Sequence, residues 1–505
     1  MPSTDRRGVP SSPWGPLRTP LFRNLLLADV LSDIGTFMQS VGAAWLMVSF
    51  HAGPMYVALT QTASSLAFFI FALPAGAIGD IVDRRKLILT TEIWMVVVAT
   101  LIAVATVAGF MTPWLLLALT FALSAGDALE TPTWRAILPE LVGKAELAEA
   151  SALNGIEFNF ARAVGPALAG LLIATAGIGA AFTLNALSFF GVIVVVARWK
   201  RAPVRRSTPP ETVGGATMAA LRYVRHSPSL RQITIQSALT MFFASALLAL
   251  LPSLSHSVSN SPTGYGLLLG SFGAGAVLGA GIMHQARARF PAKAVSAGGM
   301  TILGFATLGA GVLHSIVPLA GLMVVAGGAW IVFVSLFSAI VQGLAPDWVR
   351  ARVLAVYLLA FQAGLAAGSA VWGSVADHLG IGVALAAAGV GVILSVLLSW
   401  RTKFPETPVD VSPWSHWRAP VVLPGAEPAL SAGPVLVTVE YTVTAANAGE
   451  FLDAMADYGR LRRRDGAYWW GVFQDVSAAD RYIETFLVDS WAEHLRQHDR
   501  STAAD

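Results

Sequence analysis

Long apolar stretches recur throughout this chain, and each approaches the length of about 20 residues that a helix needs to cross a bilayer. They lie at residues 21–49, 55–79, 87–109, 113–131, 154–176, 178–197, 233–252, 264–284, 293–313, 317–344, 353–376 and 381–400. Only 12% of the 505 residues are charged, against roughly 25% in a typical soluble domain. The sequence therefore predicts an all-α polytopic membrane protein with twelve spanning helices.

The basic residues indicate how these spans are oriented. Lysine and arginine concentrate in alternate connections, near residues 18–23, 84–86, 135–144, 198–231, 287–293, 350–352 and 401–403. The other connections between spans contain neither residue. Because cytoplasmic loops carry an excess of Lys and Arg, both termini are predicted to be cytoplasmic.

The longest basic connection divides the predicted spans into two halves of six helices each. Trp134-Arg135-Ala136 after the fourth span is similar to Trp348-Val349-Arg350-Ala351 after the tenth, as expected for the related halves of a secondary transporter. The predicted organisation is a disordered cytoplasmic tail at 1–20, an N-terminal half at 21–200, a basic inter-half loop at 201–232, a C-terminal half at 233–404, a Pro-rich linker at 405–433 and a cytoplasmic α+β domain at 434–505.

The last segment has the pattern of a small soluble domain. Residues 435–443 alternate as a strand, Phe451, Met455 and Tyr458 share one face of a helix, and two strand-like runs and a helix follow. This order resembles the ferredoxin-like dimeric α+β barrels, which include antibiotic-biosynthesis monooxygenases. Three roles are open for the domain: a regulatory or dimerising module, a ligand sensor, or an enzyme.

Several kinds of chemistry lack the residues that they require. The chain has no cysteine, which excludes disulfides, thiolate metal sites and cysteine nucleophiles. No P-loop or metal-ligand spacing occurs, which disfavours an ATP-driven pump. We therefore expect no cofactor, no metal and no nucleic-acid partner. The expected partners are the lipid bilayer and a small-molecule substrate.

A short charged segment joins the second and third spans. It runs from Gly76 to Lys86 and combines Asp80 with the basic residues Arg84 and Arg85. An ion pair in this segment would latch the cytoplasmic surface of the protein. The alternative is that the basic residues only fix the topology by attracting anionic lipid.

Ionisable residues within the predicted spans concentrate in the first half, where each is costly in hydrocarbon and usually faces a cavity or a partner. They are Asp29, Asp33, Glu92, Asp127, Glu130, Glu157 and Arg162. We expect Arg162 to pair with Asp29 or Glu157. Asp33 is the expected site of proton exchange, and the further candidates are Asp29, Asp127 and Glu157. The alternative is a static buried pair that only orients the helices.

The charged segment resembles a known signature. Gly76, Asp80, Arg84 and Arg85 are similar to the signature loop of the major facilitator superfamily, although Asp83 stands where that signature usually has glycine. The resemblance implies that this loop docks against the start of the eleventh span and holds the outward-open state.

A second motif in the fifth span resembles one found in exporters of that superfamily. Residues 161–170 contain Gly165, Pro166 and Gly170 in the arrangement of its glycine-proline motif. Together with residues 348–352 and 490–498, this motif makes the chain resemble the enterobactin-exporter-like transmembrane secretion effector branch. The resemblance implies export, in a bacterial cytoplasmic (inner) membrane.

The superfamily resemblance also implies a route for the substrate. Spans one, four, seven and ten line the cavity in this superfamily, which favours Gln39, Trp45, Phe242 and Trp330 as lining residues. Many proton-coupled members carry an arginine within the fourth span, and this sequence has none there. Proton coupling is therefore expected from the wider superfamily and not from that motif.

Together these features predict a secondary active transporter and not an enzyme. The expected function is proton-coupled export of a siderophore-like, drug-like or other amphiphilic small molecule by alternating access. The alternatives are a facilitator or importer of a small metabolite, or a membrane-tethered oxidoreductase acting through the C-terminal domain. Dimerisation through that domain is a further expectation.

Overall fold

The computed structural model describes residues 14–143, 146–201, 213–401, 410, 412, 414 and 429–503. The chain divides into two compact units. The larger unit draws on Met1–Arg206, Ser237–Ser335 and Leu359–Trp400. The smaller unit draws on Ser207–Gln236, Leu336–Leu358 and Arg401–Asp505.

Long helices begin the larger unit. They are α1 (Pro20–Ser49), α2 (Pro54–Ile81), α3 (Arg84–Val107), α4 (Pro113–Leu141), α5 (Leu147–Ala176) and α6 (Ile178–Arg198). Proline occupies the first turn of α1, α2 and α4, where the N–H group that it lacks would have no helical acceptor. Gly177, with a φ of +84°, makes the tight turn from α5 to α6, a left-handed conformation that favours glycine.

Further helices follow along the chain. They are α7 (Val213–His226), α8 (Pro228–Ser259), α9 (Pro262–Arg289), α10 (Ala292–Ala310), α11 (Ile316–Leu344), α12 (Arg350–Leu379) and α13 (Ile381–Arg401). α7 lies within the segment that the sequence predicted as a loop. Its buried residues Ala219, Ala220, Tyr223 and Val224 have the spacing of one helix face, which the basic residues and prolines of the segment obscure.

Length and apolarity identify which helices are able to cross a membrane. Within the described residues nine helices meet both criteria: α2 to α6, α8, α9, α11 and α12. The shorter apolar stretch Ile381–Leu397 belongs to α13. Polar residues such as Asp29 and Asp33 lower the hydropathy of α1, and Lys293 lowers that of α10. The twelve predicted spans are thus supported for these nine helices and stay a prediction for the rest.

The helices of the larger unit have a basic end and a neutral end. The basic end contains Arg84, Arg85 and Lys86 at the start of α3, and the neutral end contains the turns at 50–53 and 177, which have no Lys or Arg. Between these ends α1 packs on α5 and α6, and α2 packs on α4. Buried side chains such as Met47, Ile102, Leu116 and Phe182 form one apolar core among them.

Close contacts join the first six helices to later ones at the neutral end. Trp45 of α1 stacks on Tyr265 of α9 with ring centroids 6.5 Å apart and meets the ring of His256 of α8 at 5.8 Å. The hydroxyl of Thr62 in α2 donates to the carbonyl oxygen of Ala366 in α12 at 3.2 Å. Direct packing thus joins the two sets of helices at the neutral end.

The smaller unit contains a three-stranded antiparallel sheet. Its elements are β1 (Val435–Thr442), α14 (Ala448–Asp465), β2 (Trp469–Gln474), β3 (Arg481–Val488) and α15 (Trp491–Arg500). The strand order is β1-β3-β2, with Leu436 opposite Leu487 and Trp469 opposite the same residue. Because side chains alternate along a strand, Tyr482, Glu484, Phe486 and Val488 of β3 are buried on one face of the sheet.

This sheet-containing region contacts two other segments of the smaller unit. Arg222 of α7 pairs with Glu493 of α15 at 3.2 Å. The guanidinium carbon of Arg464 lies 5.0 Å from the ring centroid of Tyr223, and that of Arg500 lies 4.6 Å from the ring centroid of Trp348. The sheet region is thus docked on α7 and on the connection between α11 and α12.

Candidate functional site

Carboxyl groups converge inside the first helices of the larger unit. Asp29 and Asp33 lie one turn apart on α1 and are half-buried. Asp33 interacts with Glu157 of α5. Asp29 is within electrostatic range of Asp33, Glu157, Glu130 and Asp127. The structure therefore brings together the four carboxyl groups that the sequence proposes for proton coupling, Asp29, Asp33, Asp127 and Glu157.

The cluster includes two carboxyl groups that the sequence did not single out as proton sites. Glu92 of α3 and Glu130 of α4 are only 3% and 6% exposed, and they interact with each other. Glu130 also accepts a hydrogen bond from the hydroxyl of Thr91. A signal for Glu130 was present, because it lies three residues after Asp127 and so shares its helix face.

No cation neutralises this cluster within the described residues. The groups that act on its members are other carboxyl groups and threonine hydroxyls. Glu92 Oε2 and Glu157 Oε1 are sealed from solvent and have no hydrogen-bond partner in the part of the chain that the structure describes. Like charges this close in a medium of low dielectric cannot all be ionised together. The arrangement is therefore suited to holding and releasing protons.

The ion pair predicted for Arg162 is not formed among the described residues. No carboxyl group there interacts with its guanidinium, whose carbon lies 5.6 Å from the ring centroid of Phe158. Successive helix residues are rotated by about 100°, so Glu157, five residues earlier, points about 140° away from Arg162. Glu157 faces Asp33 of α1 instead.

The basic end is held together by side chains of the charged loop. Arg84 donates to the Ala136 carbonyl and pairs with Glu140 of α4, both at 2.8 Å. Arg85 donates to the carbonyl oxygens of Val196 and Ala197 in the last turn of α6, at 3.0 and 2.6 Å. These contacts tie the start of α3 to the ends of α4 and α6. Gly76 and Asp80 lie in the last turns of α2, and their side-chain environments lie outside the described part of the structure.

Asp83 has a role that its departure from the signature did not reveal. Its carboxylate caps α3 by accepting from the Lys86 N–H at 3.1 Å, and it pairs with Arg201 at 3.1 Å. Arg201 also pairs with Glu140 at 2.6 Å. Partial burial acts to raise the pKa of Asp83, but these hydrogen bonds lower it overall. Arg201 and Glu140 are separated from the loop by many residues, so no local motif marks them.

The glycine-proline motif sets how closely α5 approaches its neighbours. A Cβ built on Gly165 would lie 2.7 Å from Phe37 Cβ of α1, and one built on Gly170 would lie 2.8 Å from the Pro262 carbonyl oxygen. A Cβ built on Gly266 of α9 would lie 2.6 Å from the Pro166 carbonyl oxygen. Small residues thus allow α5 to contact both α1 and α9 at backbone distance.

The four predicted cavity residues have packed environments in the structure. Gln39 is buried and accepts from Asn185 at 3.4 Å, and Trp45 belongs to the neutral-end contact. Phe242 contacts the rings of Phe243 and Trp372. Trp330 is buried, with its ring centroid 5.9 Å from that of Phe272.

In the part of the chain that the structure describes, no group of three or more His, Cys, Asp or Glu residues is placed to hold a metal ion. Proton binding by a carboxyl group does not need such a geometry.

Comparisons with known sequences identify a family. A profile described as "Transmembrane secretion effector" matches residues 11–505. The uncharacterized MFS-type transporter YfiS of Bacillus subtilis is 26% identical over 401 residues, covering 76% of this chain and 94% of that one. The enterobactin exporter EntS of Salmonella typhimurium is 25% identical over 408 residues, covering 77% and 95%. The staphyloferrin A transporter of Staphylococcus aureus is 24% identical over 233 residues, covering 46% and 58%.

Comparisons with solved structures agree on the fold. A bacterial homolog of the human lysosomal transporter Spinster has a TM-score of 0.64 and 14% identity, covering 77% of this chain and 98% of that chain. The nucleoside transporter NupG has a TM-score of 0.60 and 12% identity, covering 76% and 98%. The helical part of this chain therefore has the fold of major facilitator transporters.

Proposed function

Because this chain belongs to the transmembrane secretion effector family and is a multi-pass transporter of the major facilitator type, not an enzyme, we propose that it exports a small amphiphilic molecule in exchange for protons. The observation that carries the proposal is the carboxyl cluster of α1, α3, α4 and α5. A static structural role would favour an ion pair, whereas these groups have no cation among the described residues.

The proton site is proposed at Asp33, with Asp29, Asp127 and Glu157 as neighbours that share its charge. Asp33 is half-buried, whereas Glu157 beside it is 6% exposed. Carboxyl groups that interact this directly titrate as a group. Binding or release of substrate nearby would therefore change how many protons the cluster holds.

Alternating access is proposed to use the two ends differently. The contacts of Trp45 and Thr62 join the two sets of helices at the neutral end. At the basic end, Gly76, Asp80, Arg84 and Arg85 are proposed to form the latch that docks on the start of the eleventh span. Arg84 and Arg85 contact α4 and α6 in this structure, so the part of the proposal that concerns the eleventh span rests on the resemblance to the signature loop.

The substrate is proposed to be siderophore-like. The names of two relatives, an enterobactin exporter and a staphyloferrin A transporter, support this class. The glycine-proline motif, Gly165, Pro166 and Gly170, is proposed to support export through the α5–α9 contact. Gln39, Trp45, Phe242 and Trp330 stay proposed lining residues for states in which the packed helices separate.

The remaining proposals concern topology and assembly. Both termini are proposed to face the cytoplasm of a bacterial cell, with twelve spans in the inner membrane, because basic residues gather at one end of the helices.

Dimerisation is proposed through the open face of the sheet, where Leu436, Trp469 and Phe473 are 60%, 42% and 52% exposed. Such a patch favours association with another surface.

Everted membrane vesicles test the function directly. Vesicles that contain the chain should accumulate a tris-catecholate siderophore against its gradient when the lumen is acidified, and a protonophore should abolish the accumulation. Equilibration without accumulation would favour the facilitator alternative. Uptake driven in the opposite direction would favour an importer. Vesicles from cells that lack the chain are the control.

A further inference from the structure

Arg162 has a position in the membrane region that the proton mechanism does not use. It lies near the middle of α5 (Leu147–Ala176). Helix geometry of about 100° per residue places it about 60° from Gly165, which faces α1, and about 40° from Pro166, which faces α9. Phe160 and Leu168, both exposed, lie on the other side of α5. Arg162 therefore lies on the side of α5 between the residues that face α1 and those that face α9.

The guanidinium of Arg162 is unpaired among the described residues but is not sealed. Within that part of the chain Arg162 forms no ion pair. Its guanidinium lies beside the ring of Phe158. Glu92 Oε2 and Glu157 Oε1 are fully buried and have no hydrogen-bond partner among the described residues. The nitrogen atoms of Arg162 are not in that situation. Arg162 is half-buried, so part of its side chain remains accessible.

Aromatic surface lies beside the Arg162 guanidinium. The Phe158 ring centroid is 5.6 Å from the guanidinium carbon, and Phe158 remains 45% exposed. Phe37 of α1 adds a second ring, with its centroid 5.6 Å from that of Phe158. A guanidinium beside open aromatic faces is suited to a ligand that has both an anionic group and a flat apolar part.

An anionic ligand would also balance the charge of Arg162. An arginine inside a membrane helix is costly unless it pairs or faces water, and here no carboxyl group of the described chain interacts with it. The nearby Glu157 lies on another face of α5 and interacts with Asp33. An anionic molecule that reaches Arg162 from between α1 and α9 could therefore supply the counter-charge.

We propose that Arg162, Phe158 and Phe37 bind the anionic group and the adjoining aromatic ring of the transported molecule. The substrate class is then an organic anion, such as a carboxylate or catecholate, with a flat ring next to the charge. This inference rests on the proposed function only in that the chain carries a small molecule. It depends on neither proton coupling nor the direction of transport.

Binding to the purified full-length chain tests the inference without any gradient. The probes are 1-naphthoate, 1-naphthamide and 1-naphthylmethylammonium, which share a ring system and differ in charge. The wild-type chain should bind the anion most tightly. Arg162→Gln should weaken anion binding by roughly 10- to 100-fold, the range expected for a lost charge-assisted hydrogen bond, and Arg162→Lys should retain part of the affinity. Arg135→Gln, an exposed arginine on α4, is the matched control.

Two outcomes of that assay would overturn the inference. One is wild-type binding that is absent or equal for all three probes. The other is an Arg162→Gln variant that retains anion affinity within about twofold of wild type, a change too small for a lost charge-assisted bond. Anion-selective binding without proton exchange would instead contradict the proposed function and leave this inference intact.

A second measurement uses the absence of cysteine in the natural chain. In Arg162→Cys the single thiol should react with a membrane-impermeant, charged methanethiosulfonate reagent, because the proposed site admits a charged molecule. Ala169→Cys, at a fully buried position of α5, should stay unreactive. An unreactive thiol at position 162 in folded protein would show that the site is sealed and would contradict the inference.

Discussion

Buried charge is handled in opposite ways in the membrane helices and in the sheet region. In α1, α3, α4 and α5, carboxyl groups face one another without a cation among the described residues. In the sheet region, buried Glu484 pairs with Arg462 at 2.8 Å, and buried Glu493 pairs with Arg500 at 2.6 Å. Both solutions avoid an isolated buried charge. Permanent pairing fixes a structure, whereas protonation allows the charge to change.

The sheet region shows how complete permanent pairing is. Glu484, which is fully buried, accepts from Arg462, from Trp470 Nε1 at 2.9 Å and from the Tyr441 hydroxyl at 2.9 Å. Burial and the adjacent Glu484 charge raise the pKa of Tyr441, so its hydroxyl keeps the proton that it donates. The Arg462 guanidinium also lies 4.2 Å from the ring centroid of Phe486. This network is expected to be structural.

The largest loss of folding stability is therefore expected in the sheet region, for the variant Glu484→Gln. Removing the charge of Glu484 breaks its buried ion pair with Arg462 and costs about 3–5 kcal/mol of folding stability. Hydrogen exchange of the β3 amides in the full-length chain should become correspondingly faster. Glu440→Gln, on the exposed face of β1, is the control and should leave exchange unchanged. Unchanged protection in Glu484→Gln would show that the pair is not needed.

A smaller loss of stability is expected for the variant Arg222→Ala. This arginine joins α7 to Glu493, which keeps Arg496 and Arg500 as partners after the change. The loss should be about 1 kcal/mol, below the value for a sole charged partner. Faster hydrogen exchange in α15 measures it, and Arg225→Ala, at an exposed position of α7, is the control. Equal exchange in both variants would mean that the α7 contact does not stabilise α15.

Lowering the pH should gradually weaken the ion pairs of Glu493, including its contact with Arg222. Burial acts to raise the pKa of Glu493, but hydrogen bonds from Arg500 and Arg496 and the charge of Arg222 lower it overall. A carboxyl with a lowered folded-state pKa stabilises the fold above its unfolded pKa, near 4.3, and loses that contribution as the pH falls through the folded value. Exchange in α15, corrected for its intrinsic pH dependence, should be constant near neutrality and rise below about pH 4. In Glu493→Gln that rise should disappear, and its persistence would contradict the assignment.

The smallest effect on stability is expected inside the membrane, in Glu92→Gln. Because no cation of the described residues pairs with Glu92, the amide is a close neutral replacement and stability should change by less than about 1 kcal/mol. The thermal midpoint of the detergent-purified chain measures this, with Thr90→Ala on the exposed side of α3 as the control. A loss as large as that of Glu484→Gln would show that Glu92 is ionised and paired, and would remove the contrast between the two regions.

The sequence predicts the helical framework well because each apolar run carries its own signal. α2, α3 and α6 fall close to their predicted ranges. The amphipathic α7 was missed, since its apolar spacing lies in a segment dominated by basic residues. The small sheet follows the predicted order of strands and helices.

The site was predictable only in part, because it depends on contacts between distant helices. Residue type and depth within the predicted spans identify Asp29, Asp33 and Glu157 as candidate functional residues. The convergence of Glu92 with Glu130 requires the packing of α3 on α4. Glu157 and Arg162 lie on different faces of α5, because successive helix residues are rotated by about 100°. This rotation excludes their expected ion pair and could have been calculated from the sequence alone.

The most direct test of proton-coupled export separates coupling from translocation in Asp33→Asn. Proteoliposomes that contain wild-type chain should accumulate a tris-catecholate siderophore uphill when a pH gradient is imposed, and should exchange labelled for unlabelled siderophore without one. The variant should keep the exchange and lose the uphill accumulation, because an asparagine at this position cannot bind or release a proton. Uphill accumulation at the wild-type level in Asp33→Asn would contradict the central role of this carboxyl group.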